Sequence, residues 1–289
     1  MQTLQTNTLR VPQANLYYEV RGDGPILLLI CGGVYDAAGY AALAEQLADR
    51  YTVVTYDRRG NSRSPLDGAP EPQSIEVHGD DAHRVLSALG VTAERPAYVF
   101  GNSSGATIGL ELTARHPEQV RTLVAHEPPV FELLSDPDHW RALIQNVEDA
   151  FDKEGAGPAM DILGAGLKMS GGEPDNGRVP GGAEAPQREP DAETMAMMAR
   201  LAKNMEFFIG YEVPPFNKYV PDIKTLQASS ARVVAAMGDA SRGEPPHQAA
   251  VALAERLGTQ PVLFPGDHGG FGAQPEAFAA KLHEVLATS

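Results

Sequence analysis

The chain has one cysteine, Cys31, among its 289 residues. A single thiol excludes an intrachain disulfide and a cysteine metal cluster, so the fold must rest on its core. Tryptophan also occurs once, at Trp140, and aromatic residues make up only 7% of the chain. Runs of lysine or arginine are missing; the densest basic piece is Arg58, Arg59 and Arg63. Acidic residues outnumber basic ones by 38 to 23, a formal charge of −15. A nucleic-acid surface needs a clustered basic patch, so neither DNA nor RNA is expected as a partner. The same negative field disfavours polyanionic ligands. Long apolar runs are lacking too. The longest, residues 26–31, falls far short of the roughly 20 residues that cross a bilayer, so no membrane partner is expected. Residues 1–11 are polar and contain no apolar signal segment, which makes a cytoplasmic location the expectation. No phosphate-binding glycine loop, zinc-protease helix or calcium loop is present, so no metal and no other cofactor is expected.

What is present is a 43% hydrophobic share with 29 glycines and 23 prolines, unevenly spread. A chain of this size can bury a core without staples. The apolar run 26–31, closed by Gly32-Gly33, reads as a strand buried on both faces. Further strands read at 15–20, 51–56, 97–100, 121–125, 231–237 and 261–264. Helical spacing fills 37–47, 75–89, 106–115, 246–257 and 275–286. This alternation predicts an α/β fold, a mostly parallel sheet flanked by helices. The rhythm breaks after Pro129. Residues 132–151, 158–169 and 193–208 read as helices, the last with a methionine-rich face. Between them, 170–190 is rich in Gly, Pro and Glu and reads as a flexible loop. The expected organisation is a core at 1–130 and 223–289, with a helical insertion at 131–222.

Two segments carry chemistry. Gly101-Asn102-Ser103-Ser104-Gly105 matches G-x-S-x-G, with an apolar strand before it and a helix after it. A sharp strand-to-helix turn of this kind exposes the serine oxygen, and small neighbours let it close. Ser103 is therefore the candidate nucleophile. A serine needs a base. Of eight histidines, His268 lies in a glycine-rich loop, 266–270, after a strand, where α/β sites form. The others fall on helices or at their ends, apart from His126 beside a strand end. Asp267 reads as a turn residue.

Together with Cys31-Gly32-Gly33 and the polar stretch 57–64, these segments resemble the α/β-hydrolase family over nearly the whole sheet core. The resemblance implies the α/β-hydrolase fold with its insertion acting as a cap. It also implies a cofactor-independent serine hydrolase that cleaves a small-molecule carboxylic ester or lactone through an acyl-enzyme. Homodimer formation stays open. Carbon–carbon bond hydrolases and perhydrolases share the same Ser-His-acid triad, and a non-catalytic ligand binder can keep the fold. Serine in the nucleophile position argues against epoxide hydrolase and dehalogenase chemistry, which uses aspartate in this family.

Most members place the triad acid after the strand at 231–237, in a G-x-x-D pattern. Here the chain reads Gly238-Asp239-Ala240-Ser241, with serine in the acid's place and Asp239 out of register. A smaller subgroup, which includes fungal zearalenone-type lactone hydrolases, carries the acid one strand earlier. Its Ser-Ser-Gly-Ala elbow and His-Glu-x-Pro turn are similar to Ser103-Ser104-Gly105-Ala106 and His126-Glu127-Pro128-Pro129. Glu127 is therefore the preferred acid and Asp239 the alternative. The resemblance implies oxyanion donors at Ser104 N–H and Gly33 N–H, with Val34 N–H a near alternative. Cys31 takes the place of a usual histidine and reads as a small core residue. The expected substrate wall is Val34, Phe131, Trp140, Met198, Phe208 and Tyr211, suited to a mainly hydrophobic ligand.

Overall fold

A computed structural model describes residues 3–167 and 192–288. Eight strands form one sheet: β1 (Gln5–Val11), β2 (Ala14–Arg21), β3 (Ile26–Ile30), β4 (Thr52–Tyr56), β5 (Ala97–Asn102), β6 (Val120–His126), β7 (Arg232–Gly238) and β8 (Val262–Phe264). Their order is β1-β2-β4-β3-β5-β6-β7-β8. The β1–β2 and β2–β4 pairs are antiparallel and every later pair is parallel. Three helices precede β6: α1 (Ala41–Leu47), α2 (Ile75–Ala88) and α3 (Ser104–Arg115). Between β6 and β7 come α4 (Pro137–Glu154), α5 (Ala156–Leu167), α6 (Ala192–Phe207), α7 (Val213–Phe216) and α8 (Ile223–Ala228). The chain closes with α9 (Pro245–Leu257), α10 (Gly270–Ala273) and α11 (Pro275–Ala287).

The apolar run of β3 is buried on both faces because the pleat sends alternate residues to opposite sides. Leu28 and Ile30 join Val85, Leu86, Ile108 and Leu253, from α2, α3 and α9. Leu27 and Leu29 join Leu43, Leu47, Phe278 and Leu282, from α1 and α11. The helices between β6 and β7 have a smaller core of their own, built on Ile144, Val147, Leu163, Ile209 and Val213. No helix among the described residues is long and apolar enough to cross a membrane.

β1 was not legible as a strand. It is an edge strand whose Gln5, Thr6, Asn7 and Thr8 are all exposed, so no buried face imposes an alternating pattern. The short helices α8 and α10 also escaped the periodicity, being six and four residues long. The loop read at 170–190 and the last two residues of the helix read at 158–169 lie outside the described residues.

The strand order turns around between β3 and β5: β4 lies on one side of β3 and β5 on the other. In open parallel sheets the crevice at the carboxyl ends beside such a reversal is where ligands bind. Closing it tightly needs glycine at 105. A methyl there would lie 2.1 Å from the Ile30 carbonyl oxygen, a backbone atom that cannot swing aside. Gly105→Ala is therefore expected to destabilise the fold by at least about 3 kcal/mol in urea titrations, through overpacking at a rigid contact.

Candidate active site

Ser103 sits between the end of β5 and the start of α3 with φ 55° and ψ −128°, a strained conformation for a residue with a side chain. Its N–H donates to the His126 carbonyl at 2.9 Å. Gly32 permits the close approach of the β3 loop, since a Cβ there would lie 2.2 Å from the Asn102 carbonyl oxygen. The loop and elbow thus meet backbone to backbone.

Glu127, the residue after β6, also has positive φ, at 48°. Its own N–H donates to the Ala236 carbonyl of β7 at 2.9 Å. This turns its side chain inward, where it is fully buried. One carboxylate oxygen, Oε2, lies 2.6 Å from His268 Nδ1. The other accepts the Gly238 N–H at 2.9 Å and the Ser241 hydroxyl. Burial pushes this carboxyl toward its neutral form, but His268 and Ser241 outweigh it and hold the pKa down at about 2. Glu127 is thus an anion, and Nδ1 of His268 carries the proton facing it. In the neutral ring that leaves Nε2 as a proton acceptor.

Asp239 goes elsewhere. It is exposed, and its Oδ1 accepts the Gly266 N–H at 3.0 Å, bracing the loop after β8. Ser241 had drawn notice only as the missing aspartate. It is the residue whose hydroxyl reaches Glu127, and His247 Nδ1 lies 3.4 Å from that hydroxyl. Asn102 was also missed. Its Nδ2 donates to the His268 carbonyl at 3.0 Å and lies 3.0 Å from His126 Nδ1, so it links the elbow to the histidine loop. Its position as the unspecified second residue of the pentapeptide hid it.

A cleft of about 260 Å³ opens over these groups, with Gly33, Val34, Ser103 and His268 in its wall. The opposite wall is apolar and comes mainly from α5, through Met160, Leu163 and Leu167, joined by Phe208. Two of the expected wall residues, Val34 and Phe208, are in place. The other four need correction. Phe131 is buried and stacks on Trp140 at 4.6 Å, and neither lines the cleft. Tyr211 packs on Phe151 and Phe207, and Met198 is exposed on α6. In their place α5 supplies Met160, Leu163 and Leu167 to the cleft.

The Ser104 N–H lies at the first position of α3, where a helix leaves its amide without an internal partner. Gly33 N–H is engaged: it donates to Ser104 Oγ at 3.0 Å. Cys31 is fully buried, its thiol donates to the Asp36 carbonyl at 3.3 Å, and burial raises its pKa well above normal. It has the features of a packed core thiol, not of a reactive one. Among the described residues no cluster of His, Cys, Asp and Glu could hold a metal ion.

A family model for the alpha/beta hydrolase fold matches residues 25–199. The uncharacterized hydrolase YraK of Bacillus subtilis (strain 168) is 39% identical over 289 residues, covering 98% of this chain and 97% of that one. This chain belongs to the alpha/beta hydrolase fold family. Solved structures of similar fold include a thermophilic esterase from Thermogutta terrifontis, with TM-score 0.70 and 19% identity over 100% of this chain and 98% of that one. The enol-lactonase from Burkholderia xenovorans LB400 has TM-score 0.66 and 17% identity, over 97% and 100%.

One buried group beside this site makes the fold sensitive to acid. His126 is enclosed by Phe100, Phe264 and Phe278, and its Nε2 has no hydrogen-bond partner among the described residues. Burial, which the Glu127 charge only partly offsets, lowers its pKa from 6.5 to about 4. Between those values the unfolded chain binds a proton that the folded one refuses, so stability falls as pH falls through that window. Glu127 loses its own contribution only below the normal carboxylate range. Urea titrations at about pH 7 and about pH 5 are expected to show the wild type losing ~2 kcal/mol more than His126→Leu. Equal losses in the two proteins would remove His126 from this account.

Proposed function

We propose that this hydrolase cleaves a carboxylic ester or lactone of a mainly hydrophobic small molecule, with Ser103, His268 and Glu127 as its triad. The observation that carries the reading is the 2.6 Å contact between His268 Nδ1 and a buried, ionised Glu127, in the cleft that Ser103 also lines. Ser103 Oγ bonds to the carbonyl carbon as its proton passes to His268 Nε2. Glu127 holds the ring in the tautomer that accepts this proton and stabilises the imidazolium. The negative charge on the former carbonyl oxygen is met by backbone amides of Ser104 and the 33–34 loop. Collapse breaks the carbon–oxygen bond, and the leaving alkoxy oxygen takes the proton from Nε2. In a lactone that hydroxyl stays tethered to the acyl group. Water then gives a proton to Nε2 and its oxygen to the acyl carbon, releasing the acid and restoring Ser103.

The choice of Glu127 is supported by its position at the end of β6 beside the Ser-Ser-Gly-Ala elbow, the arrangement of the zearalenone-type lactone hydrolases. The apolar wall of Met160, Leu163, Leu167 and Phe208 favours an uncharged substrate with few polar handles.

Hydrolysis of short p-nitrophenyl esters and a lactone panel tests this. Ser103→Ala is expected to lose kcat by on the order of 10³-fold or more. Glu127→Gln, of equal size but uncharged, is expected to lose on the order of 10³-fold, with the protein still folded. Asp239→Ala is expected to stay within a few-fold of wild type. Loss confined to Asp239→Ala would transfer the acid's role there, and unchanged turnover in Ser103→Ala would end the serine mechanism.

A further inference from the structure

A buried arginine holds the β3 loop, whose backbone amides serve the oxyanion in the proposed mechanism. Each carbonyl from Cys31 to Val34 is occupied. Arg58, fully buried at the end of β4, donates to the Cys31 and Gly33 carbonyls, both at 2.6 Å. Gly32 O accepts the Tyr35 N–H at 3.2 Å. Asn204 of α6 donates to the Val34 carbonyl at 2.9 Å. Of the loop's amides, Gly33 N–H is held by Ser104 Oγ at 3.0 Å, while Val34 N–H has no partner among the described residues. The peptide bonds here are all trans, so the Gly33 carbonyl and the Val34 N–H of one planar unit point in opposite directions. Arg58 draws that carbonyl into the core. The Val34 N–H therefore faces away from the core, on the side where Gly33, Val34 and Ser103 line the cleft.

Arg58 is itself seated by the segment between β6 and β7. Its Nη2 and Nε donate to the two carboxylate oxygens of Glu212 at 2.8 and 3.4 Å. Both side chains are fully buried, and Asn61 Nδ2 donates to Glu212 Oε1 at 3.0 Å. A planar guanidinium can serve a carboxylate and two carbonyls at once; an ammonium cannot reproduce that fork.

We propose that Arg58, seated by Glu212, is the positioning residue that holds the β3 loop so that its backbone amides meet the oxyanion beside Ser104 N–H. This inference rests on the proposed serine mechanism. It makes the helical segment part of the machinery for charge stabilisation: Glu212 and Asn204 reach the loop from α6 and the turn after it.

The test compares wild type, Arg58→Lys and Glu212→Gln. It measures kcat per serine titrated, KM for p-nitrophenyl butyrate, and the rate of Ser103 modification by a fluorophosphonate. Arg58→Lys is expected to lose at least tenfold in kcat per active serine, with KM within twofold. Glu212→Gln is expected to move the same way by a smaller factor. Modification by the fluorophosphonate, whose phosphoryl oxygen needs the same donors, should slow in proportion to kcat/KM. A merely structural role would reduce the number of titratable serines and the melting temperature but leave kcat per serine unchanged, and that result overturns the proposal. If Arg58→Lys does not fold, the double variant Arg58→Met/Glu212→Met removes both buried charges together and gives the same comparison. A wild type that the fluorophosphonate does not modify overturns the serine mechanism and this inference with it. A modified wild type with variants reacting at its rate overturns this inference alone.

Discussion

One buried carboxylate gathers the carboxyl ends of the sheet. Glu127 takes hydrogen bonds from Gly238 at the end of β7, from Ser241 beyond it and from His268 in the loop after β8. Its backbone N–H binds β7, while the preceding residue, His126, accepts the N–H of Ser103 after β5. A desolvated anion is costly unless it is paired and hydrogen-bonded. Here the donors come from two separate segments of chain, the end of β7 and the loop after β8, so the charge is tolerated only when both are in register. The positive φ of both Glu127 and Ser103 fits this picture. Each residue is strained alone, and each is held because the surrounding strands over-determine it.

The second set of constraints runs between the sheet and the helices after β6. Arg58 meets Glu212, Asp36 meets Arg200, and Asn204 accepts the Ser62 N–H while donating to the Val34 carbonyl. Buried ion pairs contribute little net stability, because desolvation offsets their attraction. What they supply is position: a fork between Arg58 and Glu212 fits one placement of the helical segment, and apolar packing alone would tolerate several. The polar stretch 57–64 is the core half of this seating. Asp57 fixes it from beneath by accepting from Ala37 N–H and from Arg63.

What the sequence disclosed follows from which interactions are local. The alternation of apolar runs and helical spacing was readable because β3, β5 and β6 are buried on both faces, and such strands leave continuous apolar runs. The G-x-S-x-G turn was readable because its geometry demands small residues at fixed spacing. β1 was hidden by being a polar edge strand. The link from Arg58 to Glu212 was hidden because it joins residues 154 apart, and no local pattern marks a contact of that range. The cleft wall failed for a different reason. Apolar residues of the segment between β6 and β7 are equally consistent with an internal core and with a cleft, and contacts made only in the folded chain, such as Phe131 on Trp140, decide between them. Ser241 shows both limits at once. Its departure from the G-x-x-D pattern was visible, but the use made of its hydroxyl was not.

The charge of the chain and the character of the cleft bear on the same step of the proposed reaction. A neutral ester or lactone enters among Met160, Leu163, Leu167 and Phe208 with little polar surface to desolvate. Its product is a carboxylate. In that cleft the new anion has the ionised Glu127 close by, behind His268, and the chain as a whole carries −15. An anion in an apolar wall loses its hydration, and among the described residues no lysine or arginine lines that cleft, so the product of the proposed reaction suits the site less than its substrate. The backbone amides that stabilise a transient oxyanion sit at the point of attack and offer hydrogen bonds, not a fixed positive charge. They can therefore favour the transition state without retaining the acid. In the proposed reaction the acidic balance of the chain thus favours departure of the product from an apolar site.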